Sequence, residues 1–144
     1  MNDNTTTTDD RTLTIIATQV PQGARLAFLP KHFKYHMMTI ENYIYSRFRT
    51  PCPSYTGGYW DFYELSNGGC YLAPNGELRI IENPENYFSD TVSADAAGII
   101  ITLYTMSELS FRYENETLFG THFHWLREYA ATHAERGIIF RAID

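Results

Sequence analysis

The sequence predicts a single α+β domain, in which a small antiparallel β-meander of about three strands is covered by about four helices. Its 144 residues are 44% hydrophobic and 15% aromatic, which is enough to bury one continuous core. Apolar residues alternate with period two between positions 57 and 81, and they recur every three or four positions in other segments. Strands grouped apart from helices are typical of the α+β class.

The N-terminal segment predicts a tail followed by a short strand. Residues 1–10 are a polar run of threonine, asparagine and aspartate that cannot bury a core face, so we expect a flexible polar tail before one domain of residues 11–144. Apolar alternation over 13–18 predicts a strand that ends before Pro21. Because the sequence shows neither a secretory leader pattern nor an apolar run of membrane-spanning length, we expect a cytoplasmic protein.

Two helical segments are predicted next. Pro30 favours the start of one helical turn over 31–33, since proline fits the first position of a helix. Apolar residues spaced three or four positions apart then predict an amphipathic helix from Met37 that ends before Pro51. The prolines and glycines of residues 50–58 indicate a loop.

An aromatic hairpin is predicted between residues 57 and 74. Asn67-Gly68 supplies the two positive-φ positions of a type I′ turn, which joins strands through a two-residue loop. With this turn, Leu65 pairs with Cys70.

A second Asn-Gly pair, Asn75-Gly76, predicts another turn into a third strand over 77–81. The three segments then form an antiparallel meander, with an aromatic face for helices to cover. The residues of that face are Trp60, Phe62, Tyr71, Ala73, Leu78 and Ile80.

The C-terminal third predicts two helices. Ser93 is a favourable N-cap, and Asp95 in the following turn complements the helix dipole. A second apolar stripe predicts one helix over 116–136, with Gly137 as its C-terminal stop and a short apolar tail over 138–143.

Charge is distributed unevenly along the chain. The formal net charge is −6, which disfavours a general nucleic-acid binder that works by neutralising phosphates. Five basic residues and one acidic residue give residues 25–49 a charge of +4, whereas seven acidic residues and one basic residue give 61–95 a charge of −6. A dipolar surface of this kind suits both a solvated face and an oriented acidic partner.

Catalytic and metal-binding patterns are weak. His122 and His124 are two positions apart, about 200° around a helix, so they cannot bind one metal from a regular helix. Cys70 is predicted in mid-strand, away from a helix N-terminus that would activate its thiol. We therefore expect no catalytic residue, metal or cofactor. The alternative is a metal-dependent hydrolase that uses these two histidines with His133, and a purified protein without stoichiometric metal would exclude it.

Three motifs carry a resemblance to a known family. They are Phe28-Leu29-Pro30 with Phe33, the block from Gly57-Gly58-Tyr59-Trp60 through Asn67-Gly68-Gly69 to Ala73-Pro74, and Ser93-Ala94-Asp95-Ala96-Ala97-Gly98-Ile99. In this order and spacing they resemble the ArdB/KlcA antirestriction proteins of plasmids and other mobile elements. The resemblance covers about residues 20–144. Cys70 departs from it, since an aromatic residue is expected there.

The resemblance implies an α+β protein that alleviates restriction of incoming DNA by type I restriction-modification systems and leaves methylation largely untouched. It implies a non-enzymatic inhibitor whose partner, directly or indirectly, is the restriction-modification complex. DNA mimicry requires dense, regularly spaced carboxylates, and the mixed charge of this chain argues against it. The candidate interaction surface comprises Tyr59, Asp61, Glu64, Ser66, Asn67, Ser93, Asp95 and Asp144.

The alternative function is a weak, non-specific DNA-binding module. It would use the basic segment 25–49 and a tyrosine of the following loop, and its affinity would fall steeply with salt. Its candidate DNA contacts are Lys31, Lys34, Arg47, Arg49 and Tyr55.

Overall fold

The α+β class is confirmed by a computed structural model of the chain. It describes residues 14–49, 60–76, 78–83 and 86–144, with side chains described except at 47–49 and 78–80. The predicted polar tail and the loop over 50–58 lie outside the described residues. No helix among the described residues is both long and apolar enough to cross a membrane.

A three-stranded antiparallel sheet contains the predicted hairpin. Its strands are β1 (Ala17–Gln19), β2 (Trp60–Leu65) and β3 (Cys70–Pro74), in the order β1-β2-β3. The prediction that residues 77–81 form the third strand of this sheet is wrong. The N-terminal strand takes that place and pairs with the outer edge of β2, from Ala17 opposite Leu65 to Gln19 opposite Tyr63.

The hairpin turn is one residue longer than predicted. Glu64 pairs with Cys70, while Leu65 and Gly69 share a backbone hydrogen bond, so the loop has three residues. Among the loop residues only Gly68 has positive φ, at 106°, as in a type I turn closed by a glycine bulge. Shifting the register by one residue changes which side chains share a face. The prediction that Tyr71 and Ala73 share a face with Trp60 and Phe62 is wrong, because Tyr71 lies opposite Tyr63 and stacks on it, with ring centroids 4.8 Å apart.

A second, two-stranded sheet follows. β4 (Leu78–Asn83) pairs antiparallel with β5 (Phe88–Ser93). β5 was not predicted, because its segment alternates weakly and follows an acidic stretch. β5 leads directly into a helix, and Ser93 caps it as predicted: its hydroxyl accepts a hydrogen bond from the backbone N–H of Ala96.

Five α-helices occur in the described part of the chain. They are α1 (Arg25–Phe33), α2 (Met37–Arg49), α3 (Ala94–Arg112), α4 (Leu118–Ala130) and α5 (Arg136–Ile143). Helix α2 begins where it was predicted, whereas α1 begins well before Pro30. The proline removes one N–H bond, but the buried side chains of Phe28, Leu29 and Phe33 hold the helix on the core.

The predicted helix over 116–136 is too long: α4 ends at Ala130, a turn occupies 131–135, and α5 begins only at Arg136. Tight backbone turns interrupt it after Ala130, because the side chains of His133 and Glu135 bond to the start of α3 instead of facing along a continuous helix. Gly137 is therefore not a stop; it lies inside α5.

Helix α3 is the centre of the hydrophobic core. The core extends from Val20 to Ala142 and includes the side chain of every residue from Ala96 to Ile101 except Gly98. Gly98 lets α3 approach β3 closely, since a Cβ there would lie 2.4 Å from the Leu72 carbonyl oxygen. The small residues of this part of α3 thus bring the helix against the sheet.

Candidate functional site

Two polar clusters flank the β2–β3 hairpin. The hairpin cluster comprises Lys31, His32, Glu64, Cys70 and His122, from α1, both hairpin strands and α4. The helix-start cluster comprises Tyr71, Ser93, Asp95, His133 and Glu135, from β3, the start of α3 and the turn before α5. Each contains residues that the sequence analysis selected, together with partners that it did not.

Glu64 is the charged centre of the hairpin cluster. Its Oε2 atom accepts hydrogen bonds from Lys31 Nζ at 2.8 Å and lies 3.0 Å from His32 Nε2. The bond from Lys31 is the main reason that the pKa of Glu64 lies below its ordinary value. Burial lowers the pKa of His32, so the imidazole is held in its neutral form despite the adjacent carboxylate.

Cys70 and His122 form the buried floor of this cluster. Cys70 Sγ lies 3.9 Å from His122 Nδ1, and burial raises the pKa of the thiol well above its ordinary value. Burial, with His32 next, lowers the pKa of His122 to about 4. His124 is exposed, so the predicted divergence of the two histidines around α4 is confirmed.

The helix-start cluster is a closed network. Asp95 accepts hydrogen bonds from the Tyr71 hydroxyl at 2.7 Å and from His133 Nε2 at 2.8 Å. His133 Nδ1 accepts from the backbone N–H of Glu135, and the Glu135 carboxylate accepts from the backbone and hydroxyl of Ser93.

These bonds determine the protonation of the network. Burial alone raises the pKa of Asp95, but the bonds from His133 and Tyr71 outweigh it and hold that pKa below its ordinary value. Burial also raises the pKa of Tyr71, with the Asp95 bond next, so its phenol stays protonated and keeps donating. The cluster therefore joins α3, β3 and the α4–α5 turn.

A groove beside the hairpin brings two of the predicted residues together. Asp61 and Asp95 both line it, together with Tyr63 and Asn75. Asp61 accepts hydrogen bonds from Gln19 at 3.2 Å and Asn75 at 3.1 Å, both at exposed positions. Asp61 faces this groove and Glu64 faces α1, as expected of two strand residues three positions apart.

The hairpin loop is held in place from three sides. Ser66 Oγ accepts a hydrogen bond from the backbone of Ile16. Asn67 donates to the Trp125 carbonyl at 3.0 Å and to Glu128 at 3.1 Å. Ser66 is exposed and Asn67 is partly buried, so both combine a structural role with some accessibility.

Comparisons with known proteins identify the family. A model described as "Antirestriction protein" matches residues 53–144, which is more than half of the chain. The chain belongs to the antirestriction protein family. It is 41% identical over 139 residues to the antirestriction protein KlcA of Escherichia coli, covering 90% of this chain and 94% of KlcA. It is also 34% identical over 135 residues to the putative antirestriction protein YubI of Escherichia coli K12, covering 90% and 96% of the two chains.

The fold is also shared with a solved structure of this family. It matches with a TM-score of 0.81 and 40% identity, over 90% of this chain and 95% of the other. The KlcA and ArdB proteins, to which that structure belongs, have a novel fold and show antirestriction activity against type I DNA restriction systems in vivo but not in vitro. The resemblance seen in the three sequence motifs is thereby confirmed.

The remaining candidate residues lie apart from the two clusters. Asp144 is exposed and follows α5, where its backbone N–H bonds to the Phe140 carbonyl. Lys34 is exposed between α1 and α2 with φ of 52°. Tyr59 and Tyr55 lie outside the described residues, as do the side chains of Arg47 and Arg49.

Several important side chains escaped the sequence analysis. His32 and Cys70 were not connected with His122, because the three lie on α1, β3 and α4 and share no local spacing. Glu135 was missed as the partner of Ser93 because a continuous helix was predicted through it. The only sequence signal was the choice of histidine and glutamate, in place of apolar residues, beside predicted core stripes.

Proposed function

We propose that this chain alleviates restriction of incoming DNA by type I restriction-modification systems, as a protein inhibitor without a catalytic role and with little effect on methylation. The observation that carries this proposal is the match in fold and sequence, over 90% of the chain, to the KlcA and ArdB proteins. Those proteins act in vivo but not in vitro, which favours a target or condition that the cell supplies.

Contact through a protein surface fits the charges better than DNA mimicry. Mimicry needs carboxylates displayed to solvent in a regular array. In this chain, several carboxylates instead bond to basic, histidine, tyrosine or serine side chains of the same fold. These are Glu64, Asp90, Asp95, Glu116 and Glu135.

A non-enzymatic role agrees with the state of the potential nucleophiles. The Cys70 thiol is fully buried and its pKa is raised by that burial, so little thiolate forms at neutral pH. The Ser93 hydroxyl caps α3 and donates to Glu135. Both side chains are thus engaged in the fold rather than prepared for attack on a substrate.

The exposed bonds of the hairpin carboxylates favour this region as the site of partner contact. Asp61 and Glu64 bond to exposed partners such as Gln19 and Lys31, and such bonds exchange at little cost. We assign contact to these two carboxylates, one on each side of the hairpin, with Ser66 and Asn67 in the loop between the strands. Ser93 and Asp95 would shape the same surface by holding the start of α3.

The test is the plating efficiency of unmodified phage on hosts that carry a type I system, with and without this protein. The expected result is a higher efficiency in the restricting host alone, with phage DNA methylated to the same extent. A host that lacks the restriction system is the matched control. Equal plating in the restricting host, at confirmed expression of folded protein, would refute the proposal.

A further inference from the structure

Three potential metal ligands meet in the hairpin cluster. His32, Cys70 and His122 each offer one ligand atom, and these atoms all lie within 4.8 Å of one another. No other group of three or more such residues occurs in the described part of the chain. We propose that His32, Cys70 and His122 form a binding site for a soft divalent metal ion, and that zinc is the ion that fits.

The ligand set determines the choice of metal. Two imidazoles and one thiolate are typical of zinc, whereas magnesium and calcium bind oxygen ligands. In a tetrahedral zinc site the ligand nitrogen and sulfur atoms are about 3–4 Å apart, and Cys70 Sγ lies 3.9 Å from His122 Nδ1. Side-chain shifts of about 1 Å would bring all three atoms to bonding distance.

The residues around the three ligands hold them in orientation for metal binding. The Glu64 carboxylate lies 3.0 Å from His32 Nε2, and carboxylates in this position orient metal-binding imidazoles. His122 packs between Phe33 and Trp125, with ring centroids 4.8 Å and 5.3 Å away, which fixes its ring. Glu64 is 35% exposed and His32 is 9% exposed, so the cluster lies just beneath the surface and an ion can reach it.

Protonation is compatible with metal binding. His122 is neutral at pH 7 because burial lowers its pKa, and neutral imidazole is the form that binds metals. The Cys70 thiol is protonated in the metal-free protein. Binding forms one metal–sulfur bond and two metal–nitrogen bonds, and it releases the thiol proton to solvent. A water molecule would complete the tetrahedron. The site would join α1, β3 and α4, and it does not depend on the proposed antirestriction role.

Cobalt titration of the full chain tests the site. Metal-free, reduced protein should bind one Co²⁺ per chain with a thiolate-to-cobalt absorption band in the near ultraviolet, and Zn²⁺ should abolish the band. C70A should lose the band, and H122Q should bind cobalt at least tenfold more weakly. E64Q should weaken binding about tenfold to a hundredfold, as other contacts behind a metal ligand do.

Matched controls come from residues outside the cluster. C52S removes the other cysteine of the sequence, and H124Q removes the exposed histidine two positions from His122; both should titrate like the unaltered protein. If C70A or H122Q does not fold, H32Q at the outer edge of the cluster replaces it and should also weaken binding at least tenfold. Absence of the band in the unaltered protein, its survival in C70A, or unchanged affinity in H32Q would overturn the proposal.

Discussion

The hairpin cluster and the helix-start cluster use the same chemistry, an imidazole beside a carboxylate, for different ends. In the helix-start cluster every bond leads to another: Tyr71 and His133 donate to Asp95, and Glu135 closes the network through Ser93. In the hairpin cluster a thiol and two neutral imidazoles face one another beneath an exposed ion pair. The closed network stabilises the fold. In the hairpin cluster, the facing ligand atoms can bind a metal ion and the exposed ion pair can exchange partners.

The packing around a glycine beside each cluster also differs: it is tighter at the helix start than at the hairpin. This difference predicts the largest change in the free energy of unfolding. G98A, beside the helix start, would place a Cβ 2.4 Å and 2.5 Å from backbone atoms of β3, and should cost about 3 kcal/mol or more in the free energy of unfolding. G69A, at the hairpin, meets the Trp125 side chain at 2.7 Å and should cost about 1–3 kcal/mol.

Urea unfolding measures both values. G120A is the control, because nothing lies within 4 Å of the added Cβ in the first turn of α4, and it should stabilise by about 0.5–1 kcal/mol. If G69A costs more than G98A, the helix start is not the more tightly packed region.

The two clusters should lose stability in different pH ranges. The pKa of His122 is about 4 in the fold against 6.5 ordinarily, so the unfolded chain binds more protons between these values. The free energy of unfolding therefore falls as pH decreases from 6.5 to 4, by up to about 3 kcal/mol. Asp95 has a pKa below 3.8, so its contribution is present above pH 3.8 and is lost below it.

Unfolding of metal-free protein with chelator at pH 7, 4.5 and 3 follows both ranges. H122Q should remove the fall in the free energy of unfolding between pH 6.5 and 4, and D95N should remove the fall below pH 3.8. If D95N also removed the fall between pH 6.5 and 4, the two clusters would titrate as one unit.

The carboxylates of the groove separate structure from exchangeable contact. D95N weakens charged hydrogen bonds from a buried phenol and an imidazole, and should cost about 2 kcal/mol. D61N affects bonds to two exposed amides, and should change stability by less than about 0.5 kcal/mol. Thermal unfolding of both variants checks this, and equal destabilisation would erase the distinction.

The smallest expected difference within a pair of variants is that between two serines. S93A removes the cap of α3 and a bond to Glu135, and should cost about 1 kcal/mol. S66A removes one exposed bond to the Ile16 backbone and should cost about 0.5 kcal/mol. Denaturant midpoints measured side by side resolve the pair; a larger loss in S66A would show that β1 depends on the hairpin loop more than α3 depends on its cap.

Local signals predicted more of the fold than of the site. The cap at Ser93, the start of α2 at Met37 and the hairpin follow from spacing and turn residues near in sequence. The register of that hairpin and the strand that joins it did not follow, because Asn67-Gly68 fits both a two-residue and a three-residue loop. The partners of Glu64 and Asp95 come from distant helices, which local periodicity cannot place.

Plating efficiency with the two groove carboxylates altered tests the central division of roles most directly. D61K and D95N are compared with the unaltered protein on a type I restricting host, at equal amounts of folded protein. D61K is expected to fold but to lose protection of unmodified phage, whereas D95N is expected to protect as well as the unaltered protein per folded molecule. Full protection by D61K, with protection lost in folded D95N, would contradict it.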